Sequence, residues 1–330
     1  MIVDLLPGEQ QTLIVDSVKT LLARVLPVER LHVEENRGGA FERARWPEIV
    51  GLGLVGLGLS ADDCGVGYTL VEEALCAREL GRNLVSTTVI ATMAAAHIAA
   101  ALGRRELVQS LVNGDSRAAC ANALGRIDGD TLDVQLLDAE GADHALVWDR
   151  EAALLLPLTG APRRRIAALD DAVALDRASL PLANAIRSDR RVVNRISLLL
   201  AAYQVGIAGA TRDRGVEYAK TREQFGQPIG AFQAIKHACA DMAVREEAAY
   251  AQVFFSSVTE QRPGGASSAD VPSARLLADQ AAIDNAKANV QIHGAMGFTF
   301  ECDAHFFLKR ANFLAVLNGG RRNHQADILG

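Results

Sequence analysis

The feature that most constrains this chain is a double change of hydrophobic period: helical spacing up to about residue 115, strand-like runs to about 187, and helical spacing again to the end. From Glu9 to Leu26 the apolar residues Leu13, Ile14, Val18, Leu21, Leu22 and Val25 fall on one helix face, and Pro27 stops the run. A Trp-Pro helix start opens Trp46 to Leu59, which continues into a glycine-rich turn. Further helices are expected over Leu70–Leu80 and Ala91–Leu111, with DDCGVG at 62–67 as the main loop. Between Arg117 and Leu182, short runs such as ALVW (145–148) and ALLLPL (153–158) sit among Gly, Asp and Pro and read as strands. After Ser188 come long helices over Ile196–Lys220, Phe232–Thr259 and Ala274–Ile292, with a last one over Ala304–Leu317 completing a four-helix bundle. The expected domains are therefore 1–115 (helical), 116–187 (a small β domain) and 188–330 (the helical bundle). The class is mainly α with a small β domain.

Composition narrows the function. With 49% hydrophobic and 22% charged residues the chain has enough apolar surface for a core. A net charge of -6 leaves no basic field able to hold nucleic acid, so small molecules or proteins are the expected partners. The five cysteines are scattered without a Cys-x-x-Cys pair, which argues against zinc and for reduced thiols. The N-terminus is acidic, and no window reaches the about 18 apolar residues of a membrane span, so a cytoplasmic protein is expected.

Three segments carry a resemblance. TREQFGQPIGAFQAIKHACADM, 221–242, holds Arg222, Phe225, Gly226, Ile229 and Gln233 at the spacing of the C-terminal signature of acyl-CoA dehydrogenases. QIHGAMGFTFE, 291–301, is similar to that family's Gln-x-x-Gly-Gly-x-Gly segment, with Ala295 in place of the second glycine. WPEIVGLGLVGLGLSADDCGVG, from 46, with ARELGR after it, resembles the family's N-terminal helical domain. The resemblance implies an FAD-dependent oxidoreductase acting on acyl-CoA thioesters: a carboxylate takes a proton next to the thioester while the following carbon gives a hydride to flavin N5. It also implies that Arg222, Phe225, Ile229, Gln233, Gln291 and Gly294 reach across a dimer contact to the FAD held mainly by a neighbouring subunit. The residue chemistry agrees, since a guanidinium suits a pyrophosphate and a glutamine amide suits cofactor oxygens or ring nitrogens.

The catalytic carboxylate is missing from both positions where the family carries it. The loop position falls on Asn318 and the helix position on Leu199. An amide cannot accept that proton, and neither can an alkyl group. A shift in register would leave Asp189, Glu217, Glu301 or Asp303 as candidate bases, each more simply read as a solvated or capping charge. Positions that the resemblance ties to a subunit's own flavin are also altered: CANALGR (120–126) replaces a polar segment, and Gly320 and Arg322 replace a hydroxyl and an amide. The resemblance therefore implies a subunit with no catalytic residue of its own, paired two-plus-two with a full-length dehydrogenase and lending it half a flavin site. Mixed assemblies of this kind in the family are associated with steroid side-chain thioesters. A self-sufficient flavoenzyme with an unrecognised base, and a flavin-free scaffold, are the alternatives.

Other features take plainer readings. Gly206 and Gly209 share a helix face with Ala202 and permit close helix contact. Arg163 to Arg165 read as a solvated loop, Trp46 and Trp148 as anchors of a helix and a strand, and His237 and His293 as tolerated positions without metal chemistry.

Overall fold

A computed structural model describes residues 5–33, 38–127, 129–262 and 264–329. The first helix, α1 (Glu9–Val25), opens with the Gln11 side chain accepting from the Gly8 backbone N at 3.0 Å, and ends before Pro27. Short helices α2 (Ala40–Ala44) and α3 (Trp46–Val50) follow, and the Trp46 indole donates to the Gly114 carbonyl at 3.1 Å. Helix α4 (Leu70–Arg82) is started by Glu72 accepting from the Thr69 backbone N at 2.8 Å and by Thr69 Oγ1 accepting from Val71 N at 3.3 Å, which together satisfy two otherwise orphaned donors.

The helix expected over Ala91–Leu111 is instead two, α5 (Thr88–Ala101) and α6 (Arg105–Asn113). Gly103 takes φ +64°, and Arg104 N bonds back to the Ala99 carbonyl at 2.9 Å. Apolar residues continue on both sides of this reversal, so periodicity alone does not reveal it.

The middle of the chain forms one seven-stranded sheet in the order β5-β6-β2-β1-β3-β4-β7. Its strands are β1 (Ala118–Ala123), β2 (Thr131–Leu137), β3 (His144–Trp148), β4 (Ala153–Pro157), β5 (Arg164–Ile166), β6 (Leu175–Pro181) and β7 (Ile186–Ser188). Pairing is antiparallel except between β1 and β3. The arginine run is not a free loop: Arg164 and Arg165 lie in edge strand β5, Arg165 bonds Asp176 at 2.7 Å, and Arg163 donates to the Ala139 carbonyl at 2.6 Å. Three clustered charges masked the strand, because an edge strand has one solvated face on which arginines are tolerated.

The last part is a bundle of α7 (Arg190–Thr221), α8 (Gln233–Glu260), α9 (Asp270–His293) and α10 (Ala304–Ala315), joined after Thr221 by a two-residue hairpin, β8 (Glu223–Gln224) and β9 (Gln227–Pro228). Helix α7 is long and apolar enough by composition to cross a membrane, yet most of that window is buried inside the bundle. Gly206 explains its close approach to α4, since a Cβ there would overlap the Arg78 carbonyl. The helix expected over Ala304–Leu317 stops at Ala315. Asn318 adopts φ +55°, ψ +41°, the left-handed conformation that breaks it, and a further helix, α11 (Gly320–Leu329), follows.

The three parts meet at Arg310, which is 2% exposed. Its Nε bonds Asp170 at 2.5 Å, while Nη1 donates to the Tyr203 hydroxyl at 2.9 Å and the Leu84 carbonyl at 3.1 Å. One guanidinium thus ties the sheet side, the bundle and the N-terminal helices. Removing one partner of a buried pair of this kind costs about 3–5 kcal/mol.

Candidate functional site

Two places carry the residues singled out in the sequence. The first is one end of the helical bundle. The backbone leaves α7 at Arg222, whose N bonds the Tyr218 carbonyl at 2.9 Å and whose carbonyl accepts from Ile229 N at 2.8 Å. The hairpin between them turns at Phe225 (φ +53°) and Gly226 (φ +78°), and Gln233 begins α8. Gln291 lies in the last turn of α9, and Gly294 follows that helix at φ +60°. Two contacts hold the hairpin against this helix end. Tyr218 stacks on His293 with ring centroids 4.1 Å apart, and Ile229 packs on the small cluster of Ala219, Met242 and Ile292.

The six positions thus share one end of the bundle, and Arg222, Phe225, Gln233, Gln291 and Gly294 are exposed. Among the described residues the Arg222 guanidinium has no ion-pair partner, and the amides of Gln233 and Gln291 have no internal hydrogen bond. Phe225 is 92% exposed and meets only the edge of Phe232, with centroids 6.1 Å apart. A bulky side chain in the left-handed region, solvated on nearly all sides, is stabilised by little within this chain. A Cβ added at Gly294 would meet nothing within 4 Å, so the face is open. Unpaired donors on an open face fit the pyrophosphate and heteroatoms of a dinucleotide such as FAD held from the other side.

The second place is where positions tied to the chain's own base and cofactor converge. Asn122, from the 120–126 segment, accepts from the Asn318 backbone N at 3.0 Å. The Asn318 amide lies against Trp148; in the one orientation that satisfies both of its ends, Nδ2 donates to the Trp148 carbonyl and Oδ1 accepts from the indole Nε1, both at 3.1 Å. Helix α11 is fastened to the β3–β4 turn by Arg150, which bonds Asp327 at 2.8 Å and the Asn323 carbonyl at 3.1 Å. The cavity beside Asn318 measures about 40 Å³. Pockets that take a cofactor run to about 300–1,000 Å³. The residues here do not fit a flavin.

Neither expected base position holds an acid. Leu199 is fully buried on α7, within the apolar core. None of the four fallback carboxylates lines the cavity beside Asn318. Asp189 caps α7, accepting from Arg191 N at 3.0 Å; Glu217 is exposed, 3.9 Å from Lys220; Glu301 is exposed; and Asp303 is engaged by His32 at 2.6 Å and by Arg214.

Sequence reasoning missed a buried group between α4, α5 and α7. Glu73 is wholly buried, bonds His97 Nε2 at 2.7 Å and Arg195, and lies against Gly58, where a Cβ would collide with its carboxylate. Burial alone would raise its pKa, but His97 and Arg195 reverse that and hold it below the usual carboxylate range. The three residues lie 24 or more positions apart in the chain, and no local spacing announces them.

Comparison with known proteins gives the family and the fold. Residues 8–113 match the acyl-CoA dehydrogenase N-terminal domain and residues 190–330 the acyl-CoA dehydrogenase C-terminal domain. The chain is 31% identical over 272 residues to acyl-CoA dehydrogenase IpdE2 of Mycolicibacterium smegmatis, covering 82% of each protein. In fold it is similar to a chain of the ChsE4-ChsE5 complex of Mycobacterium tuberculosis, with a TM-score of 0.85, 20% identity, and coverage of 99% of this chain and 98% of that one. It is likewise similar to a chain of the Tcur3481-Tcur3483 steroid ACAD G363A variant, with a TM-score of 0.84, 22% identity and 97% coverage of both. The chain belongs to the acyl-CoA dehydrogenase family, with its N-terminal helical, middle β and C-terminal helical arrangement.

Proposed function

We propose that this chain is the helper subunit of a heteromeric, FAD-dependent acyl-CoA dehydrogenase: it lends half of a flavin site to a full-length, catalytically competent partner and completes no site of its own. The observation that carries the reading is the contrast between the two places. Unpaired Arg222 and solvated Phe225 present an open half-site, while the compartment at Asn318 retains about 40 Å³ and has an amide at the expected base position.

FAD, when bound by the partner, supplies the hydride acceptor for oxidation of the thioester. Arg222 would hold the pyrophosphate, Gln233 and Gln291 would bond cofactor heteroatoms, and Phe225 with Ile229 would wall the site from water. Gly294 lets the backbone approach closely, because a residue at φ +60° without a Cβ leaves that face clear. Two chains of each kind would form the assembly, and the cytoplasm is the proposed compartment. The names of the structural neighbours, ChsE4-ChsE5 complex and Tcur3481-Tcur3483 steroid ACAD, support a two-protein assembly and a bulky, steroid-bearing thioester.

Co-expression with a candidate full-length partner tests the reading. Wild-type chain is expected to give a yellow complex, and the R222A chain a complex of unchanged size that loses flavin on gel filtration. Unaltered flavin retention by the R222A complex would remove Arg222 from the cofactor.

A further inference from the structure

Arg222 and Gln291 stand at the ends of different helices, α7 and α9, so a cofactor that meets both depends on how those two ends are held together. A guanidinium on a long flexible stem and an exposed amide do not set that spacing themselves. The turn beyond Arg222 does not set it either. Phe225 and Gly226 both take positive φ, and a phenylalanine held there is strained.

The two helix ends are instead joined directly. Gly215 is buried on α7, and a Cβ there would come within 3.3 Å of Ile292 Cδ1 and 3.4 Å of Asn289 Oδ1, so the missing side chain lets α7 and α9 approach closely. One turn on, the Tyr218 ring lies on the His293 ring, with centroids 4.1 Å apart and planes 23° apart. The imidazole is itself fixed. Its Nδ1 is 2.8 Å from the Asn289 carbonyl, and because a carbonyl only accepts, Nδ1 carries the proton. Beside it the 294–298 turn folds back tightly, with Gly297 buried where a Cβ would meet the Val290 carbonyl at 2.5 Å and His293 Cβ at 3.1 Å.

Each ring is tied to the half-site through its own backbone. The Tyr218 carbonyl accepts from Arg222 N at 2.9 Å and from Thr221 Oγ1 at 3.3 Å, which fixes where the chain leaves α7. His293 lies between Gln291 and Gly294 in the chain. Residues two positions apart point about 200° apart around a helix, so His293 turned onto Tyr218 leaves Gln291 facing solvent.

We propose that Tyr218 and His293 are positioning residues of the lent half-site: the stack between them fixes the gap between Arg222 and Gln291, and so sets how tightly the partner's FAD is held. The rings act through their neighbours and touch no cofactor. The inference rests on the reading above, since it needs FAD to lie on this face.

The test is FAD binding by the complex of this chain with a full-length partner, stripped of flavin and refilled, with assembly size followed by gel filtration. Y218L and H293L are each expected to weaken FAD binding about fivefold at unchanged size, and the double variant no further than either alone, because both changes remove one contact. H293F and Y218F keep two flat rings and should bind FAD as the wild type does. H293Q keeps a donor for the Asn289 carbonyl but removes the ring; it should match H293L, and it serves where H293L does not assemble. Losses that add in the double variant, or a loss in H293F equal to that in H293L, would overturn the stack as the cause. Wild-type affinity in Y218L and in H293L or H293Q would overturn the proposal outright. R222A separates the two readings. If R222A loses flavin while the ring variants keep it, only the positioning role fails; if R222A keeps it too, the half-site itself fails.

Discussion

Asn318 and Trp148 are joined by both polar ends of one amide: Nδ2 donates to the Trp148 carbonyl and Oδ1 accepts from the indole Nε1, each at 3.1 Å. The residue at the expected base position is thus spent on holding the C-terminal helix to strand β3. An asparagine suits this for two reasons, since it carries one donor and one acceptor and tolerates the left-handed backbone found at φ +55°.

Restoring an acid there should therefore fail. N318D loses the donor to the Trp148 carbonyl, and its stability is expected to fall by about 1–3 kcal/mol. Acyl-CoA-dependent dye reduction by the isolated variant should stay at background. Chemical unfolding and the dye assay check the two halves, and measurable turnover by N318D would mean that only the base had been missing.

Stability should depend on pH through Asp138. Burial pushes its pKa up to about 6, against the pull of Arg310 and hydrogen bonds from Ser86 and the Ala174 backbone. In the unfolded chain the value is about 3.9. The folded state therefore holds more protons between these values, and this residue's contribution to stability declines as pH rises from about 4 to about 6. The D138N variant lacks that decline, so its Tm relative to wild type should climb across the window by the equivalent of about 3 kcal/mol at most. A constant difference between the two melting curves from pH 4 to 6.5 would show that Asp138 titrates normally.

Helix contact at Gly206 sets a third expectation. A Cβ there would overlap the Arg78 carbonyl, which is backbone of α4 and cannot swing aside. The G206A chain should lose about 3 kcal/mol or more, or fail to accumulate as folded protein. Calorimetry of G206A beside S17A, on the exposed face of α1, checks it.

Much of the fold was legible because α7, α8 and α9 keep one apolar period over 24 or more residues each, and the strand runs are bounded by Gly, Asp and Pro. The break at Gly103 and the extra helix α11 were not, since apolar residues resume at Leu107 and Val108 just past the first and α11 is largely polar and exposed. At the site, the hairpin residues fall within one contiguous segment, 221–242, and could be read together. The Asn122–Asn318–Trp148 joint unites residues as much as 196 positions apart. Only the folded chain brings them together.

The central claim is that this chain lends a flavin site and keeps none. The most direct measurement is the molar ratio of FAD to polypeptide, in the isolated chain and in its complex with a full-length partner. The account predicts a colourless isolated chain and one FAD for each pair of unlike chains. Stoichiometric FAD on the isolated chain would contradict it.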